Sequence, residues 1–289
     1  MKHNYNHIDS NSDPVKTPDD FFGKLEVRYE KSREDAWSEL DARLSEKPAT
    51  RLFAFSSHKL SFGIAAAVLL LAGIFSLLRF YTTAVYCPPG QHLSYILPDH
   101  SSVEMNADSR MTFQPLWWWY SREIKFEGEG FFEVEKGQKF EVISETGRTE
   151  VLGTSFNIYS RDREYKVNCI TGKVKVISLT SEEVILSPEY EAKINSEGNI
   201  EVRKETKTGV SKAWVNNMFN FTARSLAQVF DEIGRQYDVT VVYKALPDYS
   251  YTGYFSKDRT VEEVLTLVCK PFGLTFVRIS EKKYEIFQN

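Results

Sequence analysis

Cysteine, histidine and basic blocks are all sparse in this chain of 289 residues, and each scarcity closes a class of function. Three cysteines, Cys87, Cys169 and Cys269, are too few and too widely spaced for a disulfide framework or a thiolate metal pair. One bridge between two of them is compatible with an oxidising compartment. The five histidines are His3, His7, His58, His92 and His100; three lie ahead of the chain's long apolar run, and no metal-ligand or nucleophile spacing accompanies the other two. The sequence therefore predicts no metal, no cofactor and no enzyme. The formal net charge is -4 without any basic block, so neither nucleic acid nor anionic lipid is an expected ligand. Gly128-Glu129-Gly130 lacks the third glycine and the following helix of a phosphate loop; with Gly137, Gly147, Gly153 and Gly172 it reads as a turn or bulge between strands.

What the chain does have is one long uncharged run, Leu60 to Leu78, which divides a short N-terminal piece from a long C-terminal one. Its residues rise about 1.5 Å each and together span roughly the 30 Å of a bilayer's hydrocarbon core. The run begins far beyond the first fifteen to thirty or so residues that a secretory signal occupies, so it reads as a retained single-pass anchor. Arg43, Lys47, Arg51 and Lys59 precede it, whereas Arg79 is the last basic residue until Arg110. Basic residues collect on the cytoplasmic side, which places the N-terminus in the cytoplasm and roughly 210 residues outside.

The N-terminal piece reads as helical segments without a core. Its first eighteen or so residues are polar and predict disorder. Thr17-Pro18-Asp19-Asp20 has the form of a helix start, with Phe21, Leu25 and Tyr29 following on one face. Ser32 with Asp35 forms a second start, ahead of Trp37, Leu40 and Leu44 at helical spacing. So short a segment buries too little surface to fold alone. Either the stripes pack on each other or on the membrane surface, or they dock in a groove of a cytoplasmic protein with Trp37, Leu40 and Leu44 as anchors.

Beyond the apolar run the pattern turns to period two. Val103 to Ala107, Ile124 to Phe126, Phe132 to Val134, Phe140 to Val142, Phe156 to Ile158, Tyr165 to Cys169, Val174 to Val176 and Ala192 to Ile194 alternate apolar with polar residues. Such spacing predicts an antiparallel sandwich or a compact β-solenoid. A polar stretch from Lys204 to Ser211 marks a boundary. After it, Leu226, Val229, Phe230, Ile233, Tyr237, Val239 and Val241 recur 35 positions later as Val261, Val264, Leu265, Val268, Phe272, Leu274 and Phe276. Each copy leads a helical stripe into a strand. Thr260 with Glu263 caps the second helix, and Thr222 or Ser225 the first. Two βαβ-like units of this kind can share a core with both helices on a single small sheet.

The segments PPGQHLSYILPDHSSVEMNADSRM, IKFEGEGFFEV, VLGTSFNIY, ITGKVKV and ILSPEYEAKI, from about Pro88 to Ile194, resemble the FecR family of anti-sigma factors of Gram-negative inner membranes. The repeat FNFTARSLAQVFDEIGRQYDV and TVEEVLTLVCKPFGL resembles the C-terminal domain of the subfamily that regulates outer-membrane TonB-dependent transporters. It also resembles the signalling domains of those transporters.

The resemblance implies a membrane-anchored, multi-domain protein. Residues 1–59 would be a cytoplasmic sigma-binding segment, 60–80 the transmembrane helix, 81–205 an all-β periplasmic domain and 206–289 a C-terminal α+β signalling-type domain. A transporter's signalling domain would contact the exterior, and Phe21, Leu25, Trp37, Leu40 and Leu44 would hold an extracytoplasmic-function sigma factor. In some relatives an intramembrane protease releases this segment, and Gly63 and Gly73 are helix-weakening residues in the span. Others cleave themselves at a Gly-Thr bond, which here is Gly153-Thr154. The rival reading is an anchored periplasmic adaptor that binds no sigma factor. Two departures from the family pattern stand out. His100 replaces a glycine of the usual turn and predicts another turn type. The run Trp117-Trp118-Trp119-Tyr120 reads either as core and hairpin packing or as an exposed stacking surface.

Overall fold

A computed structural model describes residues 31–45, 57–195, 197–205, 210–244 and 248–288, the side chains of 57–60, 210 and 211 excepted. The chain divides into two units, residues 1–65 and 66–289. In the first, helix α1 (Arg33–Ser45) starts where Ser32 and Asp35 predict it. Ser32 Oγ accepts from the Asp35 N–H at 3.1 Å and donates to the Asp35 carboxylate at 2.8 Å, which satisfies one orphan donor of the first turn. Phe21, Leu25 and Tyr29 lie outside the described residues.

Helix α2 (Ser57–Phe80) carries the apolar run, and its stretch Ser61–Phe80 is long and apolar enough to cross a membrane. Residues 61 to 78 are all exposed, which in water would leave a large apolar surface uncovered. The helix continues without a break through Gly63 and Gly73.

Thirteen strands follow: β1 (Thr83–Cys87), β2 (Leu93–Ile96), β3 (Ser102–Met105), β4 (Ser109–Phe113), β5 (Arg122–Glu133), β6 (Phe140–Ile143), β7 (Gly147–Val151), β8 (Ser155–Arg161), β9 (Glu164–Thr171), β10 (Val174–Ser178), β11 (Glu183–Leu186), β12 (Tyr190–Ile194) and β13 (Ile200–Lys204). They form two leaves, β1-β4-β5-β6-β7-β10-β11 and β2-β3-β5-β8-β9-β12-β13, which share β5. The first half of β5 pairs with β4 and β6, and the second half, from Gly128 on, with β3 and β8. The two leaves enclose one core that includes Val103, Met111, Phe132, Phe140, Phe156, Val167 and Val176.

Three expectations are revised. The sandwich is not purely antiparallel, because β6 runs parallel to β5 with Arg122 opposite Phe140. The buried Arg122 holds the crossover that makes this possible, donating to the carbonyls of Glu135 and Gln138 and to Asp99. Gly128 and Gly130 are not turn residues; they lie inside β5 where it passes between leaves. His100, expected to change the turn, takes φ +67, the left-handed conformation that glycine favours. Cys87, Cys169 and Cys269 are free and buried in this structure, and burial pushes each thiol up to about 11.

The C-terminal part opens with a 3₁₀ segment (Val210–Asn216) and continues as β14 (Met218–Ser225), α3 (Leu226–Tyr237), β15 (Thr240–Tyr243), β16 (Ser250–Ser256), α4 (Val261–Cys269), β17 (Leu274–Ser280) and β18 (Lys283–Gln288). The two helices start 35 positions apart, as the repeat requires. Ser225, not Thr222, caps α3, and Thr260 with Glu263 forms the full capping box of α4. The repeats do not share a single sheet. Their first strands pair as β14-β16, and their second strands flank the terminal strand as β15-β18-β17. A second core unites both small sheets and both helices through Phe221, Leu226, Phe230, Ile233, Val264, Leu265, Val268, Tyr284 and Ile286.

Candidate functional site

Two places concentrate groups that a fold alone does not need. The first is α1. None of its residues is buried, and Trp37 and Leu44 are 62% and 74% exposed. Trp37, Leu40 and Leu44 follow one another at three and four residues, so they share one face of the helix. An unpartnered Trp and two Leu on one face form the kind of stripe that an external groove covers.

The second place lies within residues 66–289, between the β-sandwich and the C-terminal core. A cleft of about 720 Å³ is lined by Glu129, Asn157, Glu164, Lys166, Arg224 and Glu232 among others. At its floor a chain of amides and carboxylates joins the two cores. Asn106 donates to Glu129 Oε2 at 2.8 Å, and Asn157 donates to Glu129 Oε1 at 3.1 Å. From α3, Gln236 donates to Asn106 Oδ1 at 2.6 Å and to Glu232 Oε1 at 2.9 Å. The Trp214 indole N–H reaches Asn157 Oδ1 at 3.1 Å, and His92 packs edge-on against the Trp214 ring. Asn106, Asn157 and Gln236 are buried, so each lost partner would leave a polar group without water.

The charges here are set by this burial. Burial and the nearby Glu232 carboxylate push Glu129 above the ordinary carboxylate range. Burial also raises Glu232, but Arg235 and Arg161, together with hydrogen bonds from Gln236 and Arg235, outweigh it and hold Glu232 below that range. At the rim, Glu164 accepts from Lys166 (2.7 Å), Lys193 (3.1 Å) and Arg224 (3.0 Å), the last from β14 across the cleft. Burial works against the Glu164 charge, yet these three cations bring it down to about 2. Burial and the neighbouring Arg224 lower Lys166 to about 8 despite its pairing with Glu164.

Sequence reading did not single out Glu129, Asn106, Asn157, Glu232 or Gln236. Glu129 was in view only as the middle of Gly128-Glu129-Gly130. The signal available was a Gly-Glu-Gly inside an apolar strand pattern, where a charge is out of place unless it is paired.

The Gly153-Thr154 bond sits in the turn before β8. Gly153 has φ +150, and the Thr154 hydroxyl is buried without a hydrogen-bond partner among the described residues. The aromatic run divides between its two readings: Trp118 is core, edge-on to Phe113 and Phe140, whereas Trp119 and Tyr120 are exposed. Among the described residues no group of three or more acidic, His or Cys side chains is arranged to hold a metal ion.

The family model for the FecR protein matches residues 82–175, and that for the FecR C-terminal domain matches residues 218–286. Two crystal structures of a candidate anti-sigma factor from Parabacteroides distasonis ATCC 8503, at 2.50 and 1.65 Å, superpose with TM-score 0.66 at 24% identity. Each covers 72% of this chain, which in turn covers 100% and 99% of theirs. At that identity the likeness carries the fold. No curated protein matches the chain.

Proposed function

The chain belongs to the FecR family, whose two models together match more than half of its length, and on that premise we propose that it is a single-pass anti-sigma factor of the inner membrane. Residues 1–59 face the cytoplasm and hold an extracytoplasmic-function sigma factor through Trp37, Leu40 and Leu44, with Phe21 and Leu25 extending the contact. The observation that carries this reading is the unburied apolar stripe of α1, placed in sequence just before an apolar helix of spanning length. Covering a Trp and two Leu in a partner's groove contributes about 2 kcal/mol or more per anchor, about thirtyfold in affinity each.

The reading extends to a relay. An outer-membrane TonB-dependent transporter presents its signalling domain to the C-terminal α+β part, and the cytoplasmic segment changes its hold on the sigma factor. An intramembrane protease that cuts near α2 would make the release irreversible. The adaptor reading differs in one respect: it needs no sigma factor.

A two-hybrid or pull-down of residues 1–59 against each extracytoplasmic-function sigma factor of the source organism tests this. Selective binding to one of them, lost in Trp37→Ala with Leu40→Ala, is the expected result. Binding to none of them makes the adaptor the better account.

Gly153-Thr154 remains a self-cleavage bond within this proposal. Thr154 Oγ would bond to the Gly153 carbonyl carbon as the C–N bond breaks, the hydroxyl proton passing to the freed amine. Water would then hydrolyse the ester to two chains. Cleavage predicts two fragments in fresh wild-type protein and one full-length band in Thr154→Ala. One band in both rejects it.

A further inference from the structure

The turn Gln114–Ser121 between β4 and β5 has no part in the roles above. It is closed by the Trp117 N–H to Gln114 O (3.2 Å), and by the Tyr120 and Ser121 N–H groups to Trp117 O (3.0 and 3.2 Å). The closure sends its rings in three directions. Trp118 enters the core. Trp117 stacks on Tyr120 with centroids 4.7 Å apart and meets Phe75 of α2 edge-on at 5.7 Å. Trp119 and Tyr120 are 76% and 79% exposed, with Leu116 exposed beside them. Arg79 ties the turn to the helix: its Nη1 donates to Gln114 Oε1 at 2.8 Å, and its guanidinium lies over the rings of both Trp117 and Phe80.

These contacts set a depth. Phe75 lies five residues before the end of the apolar stretch at Phe80, which is about 7.5 Å along the axis. A ring that touches Phe75 is therefore level with the last turn and a half of the span. Only Tyr81 and Thr82 separate α2 from β1, so the β-sandwich starts immediately where the helix ends. If α2 crosses a bilayer, the turn is at the boundary between acyl chains and headgroups. Trp and Tyr favour that layer because a large apolar ring there keeps its polar atom in water, and Arg79 reaches the same layer by its long stem.

We propose that this turn is a membrane foot. Leu116, Trp119 and Tyr120 insert at the interface of the leaflet from which α2 emerges, and the lipid surface is the occupant of the patch. The β-sandwich then rests on the bilayer at two points, the helix and the foot, so that a tilt of the domain is passed to α2. A soluble partner would have to displace lipid already brought there by Phe75 and Phe80. The inference rests on the reading of α2 as a transmembrane helix.

The test uses the full chain in vesicles of phosphatidylethanolamine and phosphatidylglycerol, with an environment-sensitive thiol fluorophore at Trp119→Cys, or at Tyr120→Cys should the first not fold. The three native thiols are buried and stay unlabelled under native conditions. Labels at Leu71→Cys, in mid-span, and at Leu179→Cys, in an exposed turn after β10, serve as references. A lipid-borne nitroxide near the headgroup should quench the foot label about twofold or more and leave the Leu179 label unchanged. Quenching at Leu71 by a deep nitroxide without quenching at the foot would overturn the foot and leave the span in place. No quenching at Leu71 would overturn the span, and the foot with it.

Discussion

Gly128 shows how one residue determines the form of the β-sandwich. It has φ +118, and a Cβ there would stand 2.3 Å from Ser109 Oγ and 2.7 Å from the Ser109 backbone. The backbone of β4 cannot withdraw without losing its pairing to β5, so no rotamer change relieves the clash. Gly128→Ala should cost about 3 kcal/mol or more through strain and overpacking together. A urea titration should show a lower midpoint at unchanged slope, and an equal midpoint would contradict the account. The sequence displayed Gly128-Glu129-Gly130 plainly, yet only the fold shows why. The glycines let β5 pass from one leaf to the other, and Glu129 meets Asn106 and Asn157 there.

At the scale of elements, the helices were the most legible parts. The starts of α1, α3 and α4 are each set by a hydroxyl that accepts from the backbone N–H three residues on, and such signals need no distant partner. Thr260→Ala removes the Oγ1 that accepts from the Glu263 N–H, one of the two reciprocal bonds of the capping box, and should cost about 1 kcal/mol, visible as a lower melting temperature. Thr222→Ala, in β14 and away from the cap, should leave α3 unaffected. An equal loss in both variants would argue against the capping assignment. Strands were read less completely. Strands β1, β7 and β11 read TAVYC, GRTEV and EVIL, which do not alternate apolar with polar residues and so give no period-two signal. Two expected strands, around Ile124 and Phe132, proved to be the halves of β5.

For the whole molecule, the joint between the sandwich and the C-terminal core carries the electrostatics. Glu164 is held near 2 by Lys166, Lys193 and Arg224. A carboxylate whose folded pKa lies below its unfolded one stabilises the fold above the unfolded pKa, and loses that contribution as pH falls through the folded one. The stability gap between wild type and Glu164→Gln should therefore be widest near pH 6 and close between about 5 and 2. A gap that stays constant over that range would show that the three cations do not hold the charge. Glu129, whose pKa is raised, has the opposite sign and gains from protonation as pH falls.

The sequence by itself determined the apolar helix of spanning length, the helical stripes of the two repeats, the starts of α1 and α4 and the apolar face of α1, because each is written in a local run or spacing. Only the tertiary structure decided that β5 serves both leaves, that β6 runs parallel to it, that the repeats split between two sheets, and that Trp117 packs on Phe75. It also brought Gln236 to Asn106, 130 positions away. Buried amides and carboxylates of this kind follow no local period. Their positions come from the packing of two cores, which then requires every polar group caught between them to find a partner.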